Sequence, residues 1–95
     1  MRDFKILKRN ERELLIEIQG EDHTLGNLIA KEALNHSSVA YASYNIPHPL
    51  QDKLLIYISV KEGSDPVVVF KEICFRIKDY LNEFRKEIEG KIVET

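Results

Sequence analysis

Two apolar rhythms run along this chain. Between Glu13 and Gln19 the residues alternate, with Leu14, Ile16 and Ile18 on one face and Glu13, Glu17 and Gln19 on the other. A period of two predicts a half-buried strand. Phe4 to Lys8 is a shorter strand candidate, joined to it as a hairpin through Arg9-Asn10-Glu11-Arg12; Gly20 closes the second strand. Leu54 to Val60 repeats the alternation, with Leu54, Ile56, Ile58 and Val60 turned inward. Val39 to Tyr44 is a further strand, with Val39 and Tyr41 on one face and Ala40, Ala42 and Tyr44 on the other.

From Pro66 the rhythm changes. Val67, Phe70, Cys74, Ile77, Leu81, Phe84 and Ile88 recur at alternating spacings of three and four. This is the heptad pattern of a seam between helices. Ile73 and Tyr80 widen the stripe. Asp65 suits the N-cap, Pro66 the first helical position and Gly90 the end, giving a helix of about 66–89 followed by a short tail. Such a helix spans roughly 36 Å at about 1.5 Å per residue. A four-stranded sheet is only about 19 Å across at ~4.8 Å per strand. About half of the helix is therefore expected to overhang, and Phe84 and Ile88 to need a partner. Glu72, Arg76, Lys78, Asp79, Glu83, Arg85 and Lys86 on its outer side read as an ordinary solvated face.

A shorter helix, about Thr24 to Asn35, carries Leu25, Leu28, Ile29 and Leu34 on its apolar side, and Asp22 and Thr24 both suit its N-cap. Gly26 in its first turn costs about 1 kcal/mol relative to Ala, which suggests that another backbone passes close by. The order ββαββα predicts an α+β sandwich, a four-stranded sheet with two helices on one face. Ninety-five residues are expected to form a single domain, 1–95.

Charge narrows the range of functions. Charged residues make up 32% of the chain, yet the net charge is -2. That balance gives no general attraction to nucleic acid or to an anionic membrane. Direct nucleic-acid binding is not expected, and a salt-sensitive gel shift by the purified chain would contradict this. Cys74 is the single cysteine, which excludes an intrachain disulfide and a Cys-rich metal site. Its place in the seam reads as a small buried hydrophobe. Met1 to Asn10 is charged and lacks an apolar segment, and no apolar run approaches the ~20 residues that cross a bilayer. A soluble, cytoplasmic protein is expected.

Polar chemistry is densest in Glu21-Asp22-His23-Thr24-Leu25-Gly26-Asn27. His23 could act as a general base with Asp22 or Glu21 orienting it. The same residues also make a helix start, with acids favoured by the helix dipole. No second acid, nucleophile or phosphate-cradling glycine loop accompanies them, so the helix start is preferred. His23, His36 and His48 are not spaced to converge on a metal, and no cofactor is expected. In Tyr44-Asn45-Ile46-Pro47-His48-Pro49-Leu50, the two prolines hold Ile46 and His48 extended and stiffen the loop. Two accounts of it stand: a rigid connection between strands, or a preformed docking loop with His48 at its tip.

Gly20 to Leu28, followed by Tyr44 to Leu50, closely resembles the small α-like subunit of multi-subunit RNA polymerases, subunit L in archaea. The resemblance covers nearly the whole chain, and the short N-terminus is archaeal in type. Ser43 stands where many relatives have glycine. The resemblance implies a fold like the dimerisation domain of the bacterial α subunit. It implies a non-catalytic assembly subunit of a DNA-directed RNA polymerase, a nucleotidyltransferase complex acting in transcription. The expected partner is the larger α-like subunit, named D in archaea. Their heterodimer would be the platform for the large catalytic subunits, with subunits N and P in the same subassembly. Paired long helices would form much of the contact, with Phe70, Cys74, Ile77, Leu81, Phe84 and Ile88 as interface candidates. Glu21, Asp22, His23, Thr24, Leu25, Gly26, Asn27, Tyr44, Pro47, His48 and Pro49 would shape the fold and the docking surfaces. One rival is a self-sufficient homodimeric module using the same seam. Another is a small hydrolase or isomerase built on His23 and Glu21.

Overall fold

The strands pair so that their apolar positions fall on one face. A computed structural model describes residues 4–94. Four strands, β1 (Phe4–Arg9), β2 (Glu13–Gln19), β3 (Val39–Asn45) and β4 (Lys53–Val60), accompany two helices, α1 (His23–Leu34) and α2 (Pro66–Glu94). The sheet order is β1-β2-β4-β3, and every pairing is antiparallel. Across the central pair, Leu14 faces Ile58, Ile16 faces Ile56 and Ile18 faces Leu54. Because side chains alternate along a strand, this register gathers the inward residues of β2 and β4 under the helices. Ile29 and Ala33 of α1 and Val69, Phe70, Ile73 and Ile77 of α2 complete the same core. The expected ββαββα sandwich is therefore the architecture found.

Several details depart from the sequence pattern. In β3 the register shifts between Val39 and Tyr41. The extra residue of a bulge changes which face follows. Val39, Ala42 and Tyr44 pack on the core while Tyr41 is exposed, so Val39 and Tyr41 do not share a face. A second shift lies between Ile6 and Lys8 of the edge strand β1, which is exposed along its whole length. In α1, Ala33 takes a buried position and Leu34 is exposed. Gly90 does not end α2, which continues to Glu94. One glycine weakens a helix interior by only about 1 kcal/mol, which a helix this long absorbs. The stiff loop after β3 is extended at His48 and then forms a 3₁₀ turn, Pro49–Gln51. It closes at Asp52, whose φ of 48° lies in the left-handed region. The Asp52 carbonyl accepts the Gly20 N–H at 2.7 Å, and Gly20 itself has φ 78°, so the ends of β2 and of this loop are tied together.

On the sheet face away from the helices, the Tyr57 hydroxyl donates to Glu13 Oε2. Glu13 Oε1 also accepts from Asn10 Nδ2 at 2.9 Å and lies 3.2 Å from Lys8 Nζ. These donors, Tyr57 first, hold the Glu13 carboxyl down to about 2 from an ordinary 4.5. A carboxylate favoured in the folded state adds stability above its unfolded value and loses it as pH falls toward its folded value. Tyr57→Phe removes the strongest donor. The gap in thermal midpoint between wild type and Tyr57→Phe is expected to be largest above about pH 4.5 and to close toward pH 2. It will be modest, because the group lies at the surface. Parallel pH curves for the two chains would contradict this role.

Candidate dimerisation surface

Helix α2 is fixed at its start and unsupported at its end. Asp65 caps it, its carboxylate accepting the Val67 N–H at 2.9 Å and its carbonyl the Val69 N–H at 3.0 Å. Ile73 has 0% of its surface exposed, and it anchors the first half of the helix to the sheet. Further along, Leu81, Phe84 and Ile88 are 48%, 52% and 41% exposed, and Tyr80 is exposed beside them. One apolar stripe thus has two fates. Its first turns fill the core and its later turns are left about half exposed.

Links to α1 hold the anchored half. His36 is buried, and its Nδ1 accepts the Ser38 N–H at 3.1 Å. A neutral ring that accepts at Nδ1 carries its proton on Nε2, which therefore donates to Glu72 Oε1 at 2.9 Å. Arg76 lies 4.0 Å from Glu32 of α1. Glu72 and Arg76 therefore bind across to the other helix and its following turn. They are not simply part of a solvated face. No sequence pattern pointed to the His36 contact, because a helix-terminal histidine does not reveal its partner.

Beside the anchored half runs an apolar groove. Phe4 of β1 stacks on Phe70 with ring centroids 6.5 Å apart. One cavity of about 430 Å³ touches Phe4, Leu25, Ile29, Cys74, Ile77 and Leu81. Another of about 310 Å³ lies among Phe4, Ile6, Val67, Phe70 and Cys74. Cys74 is exposed, contrary to the buried hydrophobe expected from the seam. Desolvation by its surroundings nevertheless pushes its thiol above the ordinary value, so it stays a neutral thiol rather than a reactive thiolate. Of the interface candidates, Phe70 and Ile77 are largely committed to the core, while Cys74, Leu81, Phe84 and Ile88 are open. Phe4 and Ile6 add apolar surface that the helical pattern could not show; their own strand pattern was the available sign.

The two sequence motifs meet at Tyr44. His23 Nδ1 is 3.3 Å from the Tyr44 hydroxyl, and the rings stand edge to face with centroids 5.6 Å apart. A Cβ added at Gly26 would lie 2.5 Å from Cδ2 of Tyr44. The close neighbour of Gly26 is thus an aromatic ring, not another backbone. Asp22 is the N-cap, accepting the Thr24 N–H at 2.9 Å, so Thr24 is not the cap. Leu25 lines the groove and Glu21 is half-buried, whereas Asn27, Pro47 and His48 are exposed. The side chain of Pro49 lies outside the described residues. His23 thus serves the ring contact and Asp22 the helix start. Among those residues no three His, Cys, Asp or Glu side chains gather as a metal site. No described helix is long and apolar enough to cross a membrane.

A two-layer α+β domain whose longer helix carries an open apolar stripe belongs to the class of association domains. The chain belongs to the RNA polymerase Rpb3/Rpb11 dimerisation domain family, whose pattern matches residues 13–87. It is 39% identical over 88 residues to DNA-directed RNA polymerase subunit Rpo11 of Saccharolobus solfataricus, covering 93% of this chain and 96% of that one. It is 38% identical over 87 residues to the Rpo11 subunit of Methanothrix thermoacetophila, covering 92% of this chain and 94% of that one. The fold is similar to the crystal structure of DNA-directed RNA polymerase subunit L from Thermoplasma acidophilum. The TM-score is 0.80 at 22% identity, over 96% of this chain and 89% of that one.

The Gly26–Tyr44 contact can be tested directly. Gly26→Ala forces the ring to move and is expected to destabilise the chain by about 1–3 kcal/mol, the usual cost of overpacking. Urea denaturation would measure it. Adding Tyr44→Leu should recover part of the loss, and two simply additive effects would mean that the ring is not the obstacle.

Proposed function

We propose that this chain is the small α-like subunit of an archaeal DNA-directed RNA polymerase, and that it works by pairing with the larger α-like subunit, the one named D in archaea. The whole chain acts as a single dimerisation domain with no active site of its own. The resulting heterodimer is the cytoplasmic platform on which the large catalytic subunits assemble for transcription, with subunits N and P in the same subassembly. Family membership supports this reading, and one observation carries it: the apolar stripe of α2 is buried at Ile73 and open at Leu81, Phe84 and Ile88. Fully burying such a side chain contributes about 1.5–3 kcal/mol. With roughly half of each still exposed, covering these three would contribute roughly 2–4 kcal/mol before the costs of association. The groove among Phe4, Cys74 and Leu81 extends the same surface toward the ~2,000 Å² of an obligate interface.

The seam candidates Phe70, Cys74, Ile77, Leu81, Phe84 and Ile88 then divide their work. Phe70 and Ile77 hold the helix to its own sheet, and the others meet the partner. The stiff loop offers exposed Pro47 and His48 to the larger subunits. Self-pairing through the same stripe is the alternative reading.

Light scattering coupled to size exclusion separates the two readings. Co-expression with the larger α-like subunit is expected to give a 1:1 complex. A stable homodimer that ignores that subunit would instead favour self-pairing. Phe84→Glu is expected to abolish the 1:1 complex while circular dichroism shows the fold retained, because it would bury an unpaired charge at the interface. A normal complex from this variant would remove Phe84 from the interface.

A further inference from the structure

We infer that a row of cations beside the seam selects a partner helix with an acidic flank and opposes self-pairing. This inference rests on the dimerisation reading above and specifies the chemistry of the partner. Lys71, Lys78 and Arg85 each follow a seam residue, Phe70, Ile77 and Phe84 respectively, by one position. They therefore recur every seven residues along one margin of the stripe, where charges set partner choice between paired helices. Their positions agree with this role. Lys71 stands at the smaller cavity and Lys78 at the larger one, both beside Cys74. Neither lysine forms an ion pair or hydrogen bond with any described residue. Arg85 is exposed and reaches only along its own helix, with Nε 3.6 Å from Glu89 Oε1. The chain as a whole has a net charge of -2, so three cations in a row are not a sign of general basicity.

The opposite margin is different. The corresponding positions are Ile73, Tyr80 and Glu87. Two copies laid antiparallel along this stripe would set the cationic rows side by side. Laid parallel, the facing margin offers the cations one acid, Glu87, since Ile73 is already buried against its own sheet. Either arrangement leaves like charges close together or unmatched, a penalty that acts against the wrong partner. A partner helix with carboxylates along the facing margin removes that penalty. Such contacts at the rim act on encounter rate and choice more than on total affinity.

The test uses the full chain and the larger α-like subunit, titrated at low and high salt. The Debye length falls from about 10 Å at ~0.1 M to about 3 Å at ~1 M. The wild-type complex is expected to weaken as salt rises. The triple variant Lys71→Gln, Lys78→Gln, Arg85→Gln is expected to bind roughly tenfold more weakly at low salt and to lose the salt response. It should also self-associate more strongly than wild type. Lys86→Gln, next in sequence to Arg85 but turned away from the stripe, should leave affinity unchanged. A triple variant with wild-type affinity and salt response overturns the inference and leaves the dimerisation reading intact, as does an equal loss from Lys86→Gln alone. Failure of the wild-type chain to pair at any salt removes the dimerisation reading itself.

Discussion

Ile73 sits between α2 and the central strands with none of its surface exposed, and its position fixes how the long helix lies. Val69 and Ile77, four residues to either side, are buried in the same contact. Together they set which way the apolar stripe points. Because α2 continues to Glu94, roughly 43 Å at about 1.5 Å per residue, the anchored stripe runs out beyond the domain that anchors it. Leu81, Phe84 and Ile88 are thus held in a fixed direction by contacts about one to three turns away. A helix free at both ends would have to be ordered on binding, with a cost in entropy. This one presents its open half on a base already ordered.

The same economy of parts appears around Tyr44. Its ring covers the first turn of α1 because Gly26 has no Cβ, and its hydroxyl meets His23. Residues that lie about twenty positions apart in the chain become one packed unit. That unit places α1 on the sheet, and α1 in turn supplies Leu25 and Ile29 to the groove beside α2. The motif residues act mainly by setting the position of a helix. Asp22 caps the helix and His23 meets the Tyr44 ring.

Elements defined by a strong period were legible in the sequence. β2 and β4 keep strict alternation, and each has one face buried, so their inner residues, and the bounds of β2, follow from pattern alone. The overhang of α2 was legible from length. What escaped depends on single contacts between distant residues. The bulge in β3 shifts faces at one position and leaves no mark on the composition of the strand. Gly90 has the residue type of a helix end, but its cost of about 1 kcal/mol is too small to end a helix this long. The neighbour of Gly26 could equally have been backbone or side chain, since a missing Cβ records only that space is short. Cys74 sits in the seam pattern, yet its position faces the open groove beside α2, so it is exposed. His36, in the turn after α1, meets Glu72 of α2, and their 36-residue separation hides the contact from any local pattern.

Burial alone does not choose a partner. An apolar stripe is attracted to any other apolar stripe of suitable shape, including its own copy, because the hydrophobic effect is non-directional. A chain whose function is to join one particular subunit therefore needs a second kind of contact that distinguishes candidates. Charge at the margin serves this purpose because it is repulsive toward the wrong surface as well as attractive toward the right one. It also costs little stability in the free chain, where Lys71 and Lys78 remain hydrated. On the proposed reading the work divides along α2: the stripe would supply the strength of contact, and the row beside it would restrict what the stripe can meet. Moving those cations into the stripe would add specificity only by burying charge, at a penalty of several kcal/mol per ion. Placed at the edge, they can discriminate without weakening the contact they guard.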